Sequence, residues 1–242
     1  MRLNRILYAL HRWVALIILA QLSVWALTGA FFTLVSHDQL HGARHGHHPA
    51  PTLSSDEAVL GPGDVLRRLA ARGVRDVTAL ELRPGRGGPY WLATRGEAVL
   101  RLRAADASDA PVDRAEAEAV AREDRGGSAV LAARRYTASP PLEYRKKPLP
   151  AWRVELADDA GTAVWVDASR GVVTARRTRV WRVYDFLWAL HIMDYWGRDD
   201  FHTPWMVMAA VVAIVTVASG AVIWVVRAMR ARRQRAAREG GS

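Results

Sequence analysis

The chain of 242 residues is half hydrophobic, carries a formal charge of +10 and contains no cysteine; it is long enough for one or two domains with a sizeable core. Without cysteine it can hold no thiolate-bound iron–sulfur cluster, no haem attached through CxxCH and no disulfide, and the absence of a free thiol suits an oxidising compartment. Residues 1–12 and 227–242 account for +8 of the charge, so the excess flanks apolar segments and does not form a nucleic-acid-binding surface.

The first element, Trp13 to Val35, runs 23 residues without a formal charge, as does the last, Pro204 to Val226. As helices each is about 34 Å long, enough to cross a hydrocarbon core of about 30 Å. Arginines precede the first (Arg2, Arg5, Arg12) and follow the second (Arg227, Arg230, Arg232, Arg233). The positive-inside rule therefore places residues 1–12 and 227–242 in the cytoplasm and 36–203 outside. Trp25, Phe31 and Phe32 are too bulky for a cleavage site, so the first segment reads as a retained signal anchor.

After the first span comes a polar linker over 36–53 that holds His37, His41, His45, His47 and His48. Crowded neutral imidazoles suit Cu, Ni or Zn, although a solvated linker accounts for the same composition. Residues 54–110 predict a helix that starts at a capping signal from Ser54 and is interrupted or begun again near Gly61–Gly63, followed by strands at 77–84, 89–95 and 98–104 between Gly-rich turns. Residues 111–178 repeat that order: a helix over 111–124 capped by Asp113, then strands at 128–137, 151–158, 163–169 and 171–178. The expected fold is α+β, two helix-plus-antiparallel-meander units, with Trp152, Val154 and Leu156 facing inward and Arg153 and Glu155 outward. The basic, Pro-rich stretch 134–150 reads as an exposed hairpin loop, and residues 179–203 as an interfacial aromatic helix and loop, with Trp181, Tyr184, Trp188 and His191 on one face.

The chain resembles the PepSY-associated transmembrane proteins. The residues that carry the resemblance are LHRWVALIILAQLSVWALTG in the first span, PAWRVELADDAGTAVWVDASRGVV at 150–173, and DFLWALHIMDY followed by a span containing ASGAVIW. In the middle stretch an Asp-x-x-x-Gly-x-Val turn, here Asp167, Gly171 and Val173, joins two strands. The resemblance implies a bacterial inner-membrane protein with a periplasmic PepSY domain. It also implies a relation to larger proteins of three or four spans that act as haem-containing reductases of ferric siderophores; this chain has two. PepSY modules elsewhere restrain or chaperone proteases, which supplies a rival expectation: a non-enzymatic anchored module bound to a periplasmic partner.

Haem b needs axial histidine or methionine in an apolar slot. His11 lies at one mouth of the first span, while His191, His37, His41 and His202 lie on the other side of the bilayer. His11 and His191 therefore cannot share one iron within a monomer. A homodimer would pair each with its twin in a four-helix bundle; otherwise His191 takes His37, His41 or His202 as its partner. Gly29 follows His11 by 18 residues and Gly220 follows His202 by 18, five turns in each case. The pairs Thr28–Gly29 and Ser219–Gly220 echo each other, and a missing side chain there would admit a flat macrocycle or let helices approach closely. The expected cofactor-binding residues are thus His11, His191, Gly29 and Gly220. The redox partner is unspecified, and no nucleophile elbow, phosphate loop or dinucleotide fingerprint is present.

Overall fold

The computed structural model describes residues 2–41, 52–54 and 56–239. Two compact units divide the chain: residues 36–182, and residues 1–35 with 183–242.

The first of these is α+β. A short helix α2 (His37–His41) is followed by α3 (Pro62–Ala71), a three-stranded antiparallel meander of β1 (Ala79–Arg83), β2 (Tyr90–Arg95) and β3 (Ala98–Arg103), and α4 (Arg114–Asp124). A four-stranded antiparallel meander completes it: β4 (Val130–Tyr136), β5 (Ala151–Leu156), β6 (Ala163–Asp167) and β7 (Val173–Arg177), in the order β4-β5-β6-β7. The helix-then-meander order thus occurs twice, each strand within two residues of its predicted start.

Each meander makes its own core. Val65 and Leu69 of α3 pack on Trp91, Ala93 and Leu102. Ala117 and Ala121 of α4 pack on Val154, Leu156, Val164 and Val166, where the small alanines let helix and sheet approach. Asp113 caps α4 by accepting the Glu116 backbone N–H at 2.8 Å. The two cycles are tied together by Arg101 of β3. Its guanidinium lies 4.0 Å from the Tyr90 ring centroid and donates to both oxygens of Glu116 at 2.7 Å.

The turn at Asp167 follows from its residues. Asp167 Oδ1 accepts the backbone N–H groups of Ser169 and Arg170 at 2.7 and 2.9 Å, and Gly171 adopts φ +69°, open to glycine and strained for other residues.

The stretch 134–150 exposes Arg134, Arg135, Lys146 and Lys147 as its charges suggest, but it is not exposed throughout. Its centre is a 3₁₀ turn, η1 (Leu142–Tyr144), that buries Tyr144 completely against Trp165 of β6, rings stacked at 4.0 Å and 12°. Beside it Glu143 accepts from Arg153 at 2.7 Å and Arg182 at 3.1 Å. Burial pushes the Glu143 carboxyl up, but the Arg153 hydrogen bond and the charges of Arg153 and Arg182 outweigh it and hold it below the ordinary value of about 4.3. A carboxyl lowered by folding stabilises the fold above its unfolded value and loses that contribution as pH falls through its folded one. Glu143→Gln is therefore expected to melt below the parent protein at pH 7, with the gap closing as pH drops below about 4. Melts at pH 3, 5 and 7 check this; a gap independent of pH would refute it.

The second unit holds α1 (Arg2–Leu34), most of α5 (Arg179–His191) and α6 (Pro204–Glu239). The apolar stretches His11–Leu34 and Pro204–Gln234 have mean hydropathies of 2.0 and 2.5 and are long enough to cross a membrane. Only 11% and 6% of their apolar windows are buried, far from the condition of a core helix in a water-soluble domain. α1 and α6 pack antiparallel, with His11 level with Ser219, and Ile18 and Gln21 level with Met208 and Val212.

Candidate functional site

One face of α1 organises the second unit. His11, Ile18, Gln21, Trp25, Thr28 and Phe32 recur at intervals of seven, three, four, three and four residues, a single helical stripe. Ile18 and Thr28 are its buried members. Each end of the stripe carries a histidine held by a hydroxyl.

At one end the hydroxyl belongs to α1. Thr28 Oγ1 donates its proton within its own helix, to Val24 O at 2.7 Å with Trp25 O at 3.2 Å. It stands 2.7 Å from His191 Nδ1. In the tautomer with its proton on Nδ1, the imidazole donates to this oxygen and keeps its lone pair on Nε2. Trp25 Nε1 donates to the His191 carbonyl at 2.8 Å, satisfying a group the helix end leaves bare. Phe32 and Trp188 flank the imidazole, with centroids at 5.4 and 6.4 Å.

At the other end the hydroxyl belongs to α6. Ser219 Oγ donates to Thr216 O at 2.9 Å and stands 3.1 Å from His11 Nδ1. Both hydroxyls stand where they could accept an Nδ1–H, the arrangement that leaves Nε2 free for a metal. Thr28 and His11 are separated by 17 residues of α1, about 26 Å, so the two imidazoles belong to different levels.

Each hydroxyl precedes a glycine. Gly29 and Gly220 both lie in open space: a Cβ at either position meets no atom within 4 Å. Gly220 and His11 line a cavity of about 790 Å³ with Tyr8, Arg12, Trp224 and Arg227. The cavity is walled by apolar and aromatic side chains and bears two guanidinium groups.

A braced loop follows His191. Asp194 accepts the backbone N–H groups of Gly197, Asp199 and Asp200 at 2.9, 3.0 and 3.1 Å. Those bonds, the one from Asp199 foremost, lower its carboxyl to about 2. Asp185 pairs with Arg198 across the same loop.

Of the remaining candidates, His202 is exposed in the turn before α6, its backbone N–H donating to Asp200 Oδ1 at 2.8 Å. The backbones of His37 and His41 lie in α2, but their side chains, and the whole of His45, His47 and His48, lie outside the described residues. Among the described residues no group of three or more His, Asp or Glu side chains is placed to hold a metal ion.

The sequence reading passed over Thr28 and Ser219 as hydrogen-bond partners, although their pairing with glycine was visible. It passed over Gln21 altogether and took Trp25 only as too bulky for a cleavage site. The α1 stripe drawn from His11 passes through both.

No family model, curated protein or solved structure matches this chain.

Proposed function

We propose that this is an inner-membrane electron-transfer protein that binds b-type haem at two levels. Both termini lie in the cytoplasm, and residues 36–203 form a periplasmic, PepSY-like α+β domain that meets the electron acceptor, such as iron in a chelate. The observation that carries the reading is the duplicated unit of histidine, hydroxyl and glycine. Two imidazoles at separate depths each have Nδ1 within hydrogen-bond distance of a hydroxyl, an arrangement compatible with ligation through Nε2.

The residues fit the group. His11 and His191 would supply axial nitrogens, and Gly29 and Gly220 leave room beside the helices for a flat macrocycle. The cavity of about 790 Å³ at His11 lies within the general range of cofactor sites, and Arg12 and Arg227 suit the carboxylates of a porphyrin. When bound, haem supplies a one-electron carrier that no side chain of this cysteine-free chain can replace. Ser219 and Thr28 would hold the ring orientations. Since the two levels lie about 26 Å apart along α1, each histidine needs a second ligand at its own level. A homodimer, pairing His11 with its twin and His191 with its twin, provides both; His37, His41 or His202 would serve the His191 level alone.

Full-length protein expressed with a haem supply and purified in detergent is expected to show a reduced α-band. His11→Ala and His191→Ala should each remove part of it, and the double variant all of it. Colourless protein under those conditions would sink the redox reading and leave an anchored α+β module that restrains a periplasmic partner, such as a protease.

A further inference from the structure

The four-stranded meander has two edges, and they differ. Beside β7, at one edge, lies α2, and the Thr178 hydroxyl just past the strand donates to Leu40 O at 3.3 Å. At the other edge β4 pairs with β5 alone among the described strands. Leu131 is 68% exposed there, and Ala132, Arg134 and Arg135 are exposed as well. The register fixes which backbone groups face outward. Leu156 donates to Thr162 O on the β6 side, so the alternate β5 residues Ala151 and Arg153 turn their groups to β4, opposite Tyr136 and Arg134. Ala133 and Arg135 therefore present N–H and C=O at the open edge, the groups that an added strand takes up.

Charge selects the strand. Other strand arginines of this unit meet carboxylates, as Arg83 does with Glu81, Arg95 with Asp76 and Arg176 with Asp124. Arg134 and Arg135 have no carboxylate partner among the described residues: Arg134 lies 4.9 Å from the Tyr136 ring centroid, and Glu155, paired across from Ala132, is held by Arg153. Consecutive strand residues project to opposite faces, so the two guanidiniums flank the edge above and below. An extended segment with two adjacent carboxylates sets one against each. A second copy does not, since two β4 strands side by side bring four guanidiniums to one seam, and like charges opposed across strands destabilise. The arginines that blunt the edge against self-pairing thus suit an acidic partner. We propose that β4 receives an extended acidic segment of a partner protein as a further strand, bonded at Ala133 and Arg135, with neighbouring Asp or Glu side chains on Arg134 and Arg135. The site is independent of the haem reading, for it lies wholly within the α+β unit.

The probe is a fluorescein-labelled peptide, STVTVDETLTS, titrated into full-length protein in a non-ionic detergent and followed by fluorescence anisotropy. Saturable binding is expected. It should be absent with STVTVKKTLTS, and lost when the central residues of the acidic peptide are N-methylated, which keeps both carboxylates and removes the N–H donors of a strand. The joint variant Arg134→Glu with Arg135→Glu changes only exposed side chains. It should weaken binding about tenfold or more, with its near-ultraviolet circular dichroism unchanged. Equal affinity for the N-methylated peptide overturns the proposal, as does undiminished binding by the charge-reversed variant, whose arginine-rich ends are intact. Absence of saturable binding by the parent overturns it too. So does a parent dimer that Arg135→Pro makes monomeric, because a second copy then holds the edge.

Discussion

Trp165→Ala is expected to lower the stability of the α+β unit by about 3–5 kcal/mol, the range for removing a fully buried large aromatic side chain. Trp165 sits on β6, whose five residues are all buried, and has no exposed surface. Its indole stacks on Tyr144 and lies 5.3 Å from the Tyr136 ring. Truncation also loosens Tyr144, whose hydroxyl meets Thr174 Oγ1 at 2.8 Å and Pro148 O at 3.0 Å. The cost should fall steeply in Trp165→Phe. Phenylalanine keeps the stacking face and removes an indole N–H that is buried without a partner among the described residues, a group that itself costs about 1–3 kcal/mol to bury. Thermal unfolding followed by near-ultraviolet circular dichroism separates the two. Equal losses in both variants would mean that volume at this site matters less than the indole nitrogen.

That site also shows where the sequence was legible and where it was not. Alternation along β5 places Val154 and Leu156 in the core, as expected, because one face of that strand meets α4. β6 has no alternation to read: α4 covers one face and η1 with Tyr144 covers the other, so a two-sided strand looks like any short apolar run. The segment 134–150 misled for a related reason. Its charges are abundant, but Glu143 is neutralised by Arg153 and Arg182, 10 and 39 residues further on, and no local window contains those partners. The spans were plain from length and charge alone, since lipid demands an uninterrupted apolar run. Within them, histidines and glycines stood out as residue types. The hydroxyls did not, because serine and threonine in an apolar helix ordinarily bond their own backbone. Thr28 and Ser219 do so here as well, and each in addition stands within hydrogen-bond distance of a histidine nitrogen.

Removing those hydroxyls is the sharpest test of the duplicated unit. Thr28→Val preserves shape and leaves His191 Nδ1 facing a methyl group, so the ring loses its hydrogen-bond partner. Losing a hydrogen-bond partner behind a ligating histidine typically costs about 10–100-fold in metal affinity, and that is the expected loss in haem affinity at the His191 level. Thr28→Ser keeps the oxygen and should restore most of it. Ser219→Ala is expected to produce the same loss at the His11 level, where the 3.1 Å contact is longer and the effect should sit nearer tenfold. Because the two levels are about 26 Å apart along α1, the double variant should show each single loss unchanged at its own level. Haem titration of each variant, with the redox potential of each site as a second readout, distinguishes a positioning role from simple destabilisation. A hydroxyl that only braced the helices would lower the melting temperature and leave affinity and potential unchanged. A loss at both levels from Thr28→Val alone would contradict the independence of the two sites, since no hydrogen bond of Thr28 reaches His11.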